Sequence, residues 1–208
     1  MILYTLVLLL FCNSDSLARH FLEIGEIGKA EDVLAKDSNF SDTFLIGEVC
    51  YFNYKFDKAI EFYRKVGIAS EDANDAISRI ILIEENMDNG LQDYATAELL
   101  SRKGKASEGV ELLRKLLQSK SPIASWATIL LIEVLDKGRS FDEAIKECKN
   151  FIRYFPTNDK LPQVKLKLAK IYVKLGKKKE AREIYKEILL LYPNSTVAPI
   201  SRGELENL

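Results

Sequence analysis

KLGKKKEAREIYKEILLLYP, residues 174–193, is the stretch whose reading decides the fold. Leu168, Ala169, Tyr172 and Leu175 recur at three- and four-residue spacing, which gives one helix an apolar face. Gly176 follows, and glycine accepts the left-handed conformation that closes a helix C-terminus. A second helix then carries Ala181, Ile184, Tyr185, Ile188 and Leu189 on its inner face until Pro193 stops it. Ala181 is small where two helix backbones must approach closely. The lysines 177–179 fall in the turn, where solvation rather than a basic patch is expected.

The same layout recurs upstream. In DKGRSFDEAIKECKNFIRYFP, residues 136–156, Phe141, Ala144, Cys148, Phe151, Ile152 and Pro156 repeat it at an offset of 37. In residues 101–122, SRKGKASEGVELLRKLLQSKSP, the inner places are taken by Gly109, Leu113, Leu116 and Leu117, 35 residues earlier. GEVCYFNYKFDKAIEFYRKV supplies Phe56, Ala59, Tyr63 and Val66, and LARHFLEIGEIGKAEDVLAK supplies Phe21, Gly25, Ala30 and Leu34. The spacing predicts an all-α fold. Two intervals depart from it: Ala30 to Ala59 is 29 and Ala59 to Gly109 is 50. Isoleucines 77, 80, 81 and 83 place an additional helix after Ser70, as an insertion or as a repeat with a degenerate partner.

These residues resemble tetratricopeptide repeats, helix–turn–helix units of about 34 residues. The resemblance is fullest over 125–193, partial over 41–66 and 91–117, and least at 17–36. It implies a right-handed superhelix, an α-solenoid of about five hairpins over residues 17–195, irregular at 68–90. Residues 196–208 then form a tail or capping segment.

In this family the first helix of each hairpin lines a concave surface that binds proteins or peptides. Carried over by spacing, the lining residues are Phe44, Glu48 and Tyr51, then Tyr94 and Glu98, then Trp126, Ile129 and Glu133, and finally Leu166, Lys170 and Lys174. Glu48, Glu98 and Glu133 fall at equivalent places, each one turn after a large apolar or aromatic residue. That combination suits an apolar-anchored ligand with basic groups. The alternative is that Trp126 and Phe44 pack against neighbouring hairpins. The family's chaperone-binding variety grips a C-terminal carboxylate with a basic cluster. Here the equivalent places are largely acidic or apolar, so that activity does not carry over.

Composition narrows the function classes. Thirty Lys plus Arg against 31 Asp plus Glu give a net charge of −1, which argues against a general nucleic-acid binder. His20 is the only histidine and no closely spaced cysteine pair occurs, so no metal site is expected. No phosphate-cradling glycine motif is present, and no cofactor is implied. Cys50 and Cys148 lie on apolar helical stripes and read as core residues. The reading is non-catalytic.

Residues 2–12, ILYTLVLLLFC, are too short to span a bilayer, yet match the apolar region of a secretory signal peptide. Small or polar residues follow, so residues 1–16 are expected to be a signal peptide or an apolar N-terminal segment. Against export, no Lys or Arg precedes the run; Cys12 suggests lipidation, but Phe11 before it fits that signal poorly. The tandem pair with its turns also resembles repeats of bacterial envelope proteins, the outer-membrane assembly lipoproteins and Tol–Pal-associated proteins. The expectation is a periplasmic or membrane-associated scaffold holding a protein or peptide partner. Two rivals remain: a cytoplasmic adaptor or co-chaperone, and an envelope hydrolase with a helical-repeat body.

Overall fold

The computed structural model describes residues 14–36, 42–118 and 121–208. The N-terminal apolar run, with Phe11 and Cys12, lies outside them. Twelve helices, and no strand, occur among the described residues. They are α1 (Ser14–Glu23), α2 (Ile27–Lys36), α3 (Thr43–Phe52), α4 (Phe56–Tyr63), α5 (Ala73–Asn86) and α6 (Leu91–Arg102). Then follow α7 (Ala106–Leu117), α8 (Ile123–Lys137), α9 (Phe141–Tyr154), α10 (Leu161–Lys174), α11 (Lys178–Leu191) and α12 (Ala198–Glu206). The chain divides into two compact units, residues 1–124 and 125–208.

Five turns share one backbone geometry. Gly25, Tyr54, Gly104, Arg139 and Gly176 all have left-handed backbones, with φ of 75°, 59°, 75°, 60° and 71°. The next amide in each case donates to the carbonyl five residues back: Glu26 to Phe21, Lys55 to Cys50, Lys105 to Leu100, Ser140 to Leu135 and Lys177 to Tyr172. This is the Schellman closure, which satisfies carbonyls a helix end leaves unpaired. Five residues after each left-handed residue stands the small residue of the second helix. Ala30, Ala59, Ala144 and Ala181 have no exposed surface. At Gly109 a Cβ would lie 2.9 Å from the Ala97 carbonyl oxygen, so even alanine is too large there. Turn and close helix contact therefore recur together, at the spacing the sequence shows.

In unit 1, α1 packs on α2, α3 on α4 and α6 on α7, as three hairpins. Helix α5 stands outside that scheme. It packs mainly on α4 and less on α6, burying Ala76, Leu82, Ile83 and Asn86. Its C-terminus leads through left-handed Gly90 directly into α6, so it is a single extra helix and accounts for the 50-residue interval. In unit 2, α8 turns into α9 through residues 138–140, while α10 packs on both α9 and α11. Tyr185 and Ile188 of α11 are completely buried with Leu166 and Ala169 of α10 and with Val197. The segment after Pro193 contains helix α12, laid on α11 with Ser201 fully buried.

Arg139 holds a conformation that costs an L-residue about 1–2 kcal/mol. Arg139→Gly should therefore stabilise the protein by about 0.5–1 kcal/mol, after the added flexibility of the unfolded chain is deducted. Urea unfolding of the two proteins measures this, and a destabilised variant would contradict the shared turn geometry.

Candidate functional site

The position eleven residues before each small residue is charged in every hairpin: Arg19, Glu48, Glu98, Glu133 and Lys170. Each of these side chains makes an ion pair within its own unit. The two units use the position differently.

In unit 1 the expected lining residues Phe44, Glu48, Tyr51, Tyr94 and Glu98 are all buried. They do not line an open groove, because the interior already neutralises and covers them. The Arg79 guanidinium of α5 lies between the two carboxylates. Its Nε and Nη2 donate to Glu48 at 2.7 and 3.0 Å, and its Nη1 and Nη2 donate to Glu98 at 2.8 and 2.7 Å. The guanidinium carbon sits 4.3 Å from the Tyr51 ring centroid and 5.7 Å from that of Phe52. Tyr63 of α4 donates its hydroxyl to Glu48 at 2.7 Å. Gly47 makes room for that ring, since a Cβ there would lie 2.6 Å from it.

Arg102, at the end of α6, completes the cluster. It donates to Glu98 at 2.7 Å, to Glu48 at 3.4 Å and to the Leu22 carbonyl of α1 at 3.1 Å. Its guanidinium also lies 4.5 Å from the Phe52 ring centroid. The first helices α1, α3 and α6 thus converge on one side chain. Two arginines against two glutamates leave no net charge, and bidentate geometry is what makes such a buried set tolerable. Burial pushes the Glu98 carboxyl up, but the charges and hydrogen bonds of Arg79 and Arg102 outweigh it and hold the group at about 2. Burial works against the charged form of Arg79, and Glu48 and Glu98 more than restore it.

Arg79 was not among the expected residues, yet the sequence carries a trace of it. It is the only Lys or Arg between residues 70 and 90, and it shares the face of α5 that buries Ala76, Leu82, Ile83 and Asn86. A charge on a buried stripe signals a partner charge elsewhere. Arg19 plays a smaller, half-exposed version of this role. It pairs with Asp72 at 2.9 Å and with Asp42 at 3.2 Å, and Asp42 also caps α3 through the Phe44 and Leu45 amides. The hollow lined by Asp42, Phe44, Lys65, Ser70 and Asp72 therefore has its carboxylates already engaged.

In unit 2 Leu166 is buried in the core against α11, whereas Trp126, Ile129, Glu133, Lys170 and Lys174 share a surface formed by α8, α10 and α12. Glu133 of α8 accepts from Lys167 of α10 at 2.6 Å, and Lys174 donates to Asp136 at 2.6 Å. Lys170 pairs with Glu204 of α12 at 3.4 Å, a residue one repeat further on. The Lys160 ammonium lies 3.8 Å from the centroid of the half-buried Trp126. Ile129 is half-buried, Lys170 and Lys174 are exposed, and Ile200 of α12 keeps 45% of its surface. Surface pairs such as these contribute about 0–1 kcal/mol each, so they leave these side chains free to exchange partners.

The remaining reactive groups stay apart. His20 is half-buried beside Phe21, Cys50 and Cys148 are free, and burial pushes the Cys148 thiol up to about 12. Among the described residues no group of His, Cys, Asp and Glu is placed to hold a metal, and no helix is long and apolar enough to cross a membrane.

The depressed Glu98 carboxyl has a pH consequence. A group held below its ordinary 4.5 contributes stability that is fully present above that value and is lost as pH falls toward about 2. Wild-type stability should decline through this window, and Glu98→Gln should be less stable at neutral pH with a flatter acid limb. Thermal unfolding from pH 7 to 2 reads both; parallel curves would contradict the assignment.

Residues 163–195 match the family model described as tetratricopeptide repeat. They take in most of α10, all of α11 and the turn between them. No curated protein matches the chain. Two crystal structures of TPR-like repeats assigned to a kinesin light chain of Podosopora anserina are similar, both at 16% identity. One, a point variant, covers 91% of this chain and 95% of its own at a TM-score of 0.46; the other covers 84% and 91% at 0.44. At that identity and TM-score the likeness carries no functional argument. The match covers one hairpin, and the turn that closes its first helix has the geometry that recurs in the other four.

Proposed function

We propose that this chain is a non-catalytic scaffold that holds a protein or peptide partner on the α8, α10 and α12 face of unit 2. The observation that carries the reading is the row of apolar and ion-paired side chains there. Trp126 offers apolar contact beside Lys160, Ile129 adds to it, and Glu133, Lys167, Lys170, Lys174 and Glu204 supply charge of both signs. Aromatic anchors with flanking charges give contact area and register to a bound chain. Tetratricopeptide repeats generally mediate protein–protein interaction, and the matched repeat contributes α10 to this face. The corresponding positions of α3 and α6 in unit 1 are buried, which favours unit 2 as the contact surface.

A cell-envelope setting completes the proposal, periplasmic or membrane-associated. Its support is the apolar run at residues 2–12 followed by small polar residues, as in secretory signals. A cytoplasmic adaptor is the competing reading. Mass measurement of the mature chain and cell fractionation separate them: export requires loss of about the first 16 residues, whereas an intact chain in the cytoplasm would contradict it.

The contact surface is tested by Trp126→Ala combined with Lys170→Glu, both in the full chain. Partner capture should fall at least about tenfold, the loss of one or two interface anchors, while far-UV circular dichroism stays unchanged. Leu190→Ser on exposed Leu190 of α11 serves as the comparison and should leave capture intact. Undiminished capture by the double variant would remove the α8, α10 and α12 face from the account.

A further inference from the structure

Helix α5 supplies a cation that the acidic pair of unit 1 holds beside Arg102. Glu48 and Glu98 come from α3 and α6, the first helices of two hairpins, at equivalent register positions. Tyr51 and Phe52 stand beside them with their rings against the cation. The Tyr51 side chain is fully buried, with its ring face against the cation. Arg79 enters from α5, the helix that interrupts the repeat period, and both carboxylates receive it in bidentate fashion.

This is the arrangement a planar guanidinium requires. Two carboxylate forks match its N–H directions, and an aromatic face takes the delocalised charge. An ammonium has three tetrahedral donors and cannot engage both forks in one plane. Without Arg79 the two glutamates would face Arg102 alone, which leaves a net charge of about −1 in a site of low dielectric.

We infer that Glu48, Glu98, Tyr51 and Phe52 form a guanidinium-binding site on the hairpin scaffold, which the chain fills in cis with Arg79 of α5. The ligand class is an alkylguanidinium, the head group of an arginine side chain. Helix α5 is thus a resident ligand that keeps the site closed. The site belongs to unit 1 and does not depend on the partner surface of unit 2.

The test is chemical complementation in the full chain. Arg79→Ala should lower the melting temperature, and ethylguanidinium at millimolar concentration should raise it saturably. Ethylammonium and urea at the same concentrations should not, and wild type should respond to none of the three. The double variant Arg79→Ala, Glu98→Gln should lose the response. If Arg79→Ala does not fold alone, the same compounds are present during refolding, and recovered helicity with ethylguanidinium only is required. An absent response, an equal response to ethylammonium, or a response that survives Glu98→Gln overturns the site.

Discussion

One buried guanidinium organises unit 1. Arg79 is 14% exposed at its side chain and Glu48 only 5%, so neither charge is substantially solvated by water. Burial of a lone ion of this kind costs several kcal/mol, and only near-complete pairing offsets it. The cluster meets that condition through four hydrogen bonds from Arg79, two more carboxylate contacts from Arg102 and the Tyr63 hydroxyl. Its geometry depends on five helices at once, α1, α3, α4, α5 and α6. A shift of any one breaks a contact that the low-dielectric interior makes expensive to lose.

The regular part of the fold rests on a simpler constraint. A left-handed residue closes each first helix, and a small residue five places later lets the second helix approach. That pairing was legible at Gly176 and Ala181, because glycine and proline punctuate the C-terminal repeat. It was harder to read at Tyr54 and Arg139, which adopt the same conformation without being glycine. Their turns are set by the helices they join rather than by local preference. The additional helix after Ser70 was also legible from its isoleucines, but its role was not. Periodicity reports which face is buried, and says nothing about which distant residues bury it.

The candidate site shows the same division. Equivalent spacing put Glu48, Glu98 and Glu133 at one register position, which Arg19 and Lys170 also occupy. What surrounds that position depends on neighbours outside the repeat. Arg79 and Arg102 turn two of these glutamates into interior groups, whereas Glu133 and Lys170 pair across adjacent helices at the surface of unit 2. An inserted helix therefore changes the meaning of a repeated residue without changing the residue. The charged position is drawn into a buried cluster in α3 and α6 of unit 1 and pairs at the surface in unit 2.

The most direct measurement of this account is a double-mutant cycle between Arg79 and Glu98, using Arg79→Met and Glu98→Gln under urea denaturation at neutral pH. Residues joined in one buried ion network couple by about 0.5–3 kcal/mol. A coupling in the upper half of that range is expected, with the double variant destabilised less than the sum of the two single variants. Additive effects would contradict the account, since they would mean that Arg79 does not organise the acidic pair on which unit 1 converges.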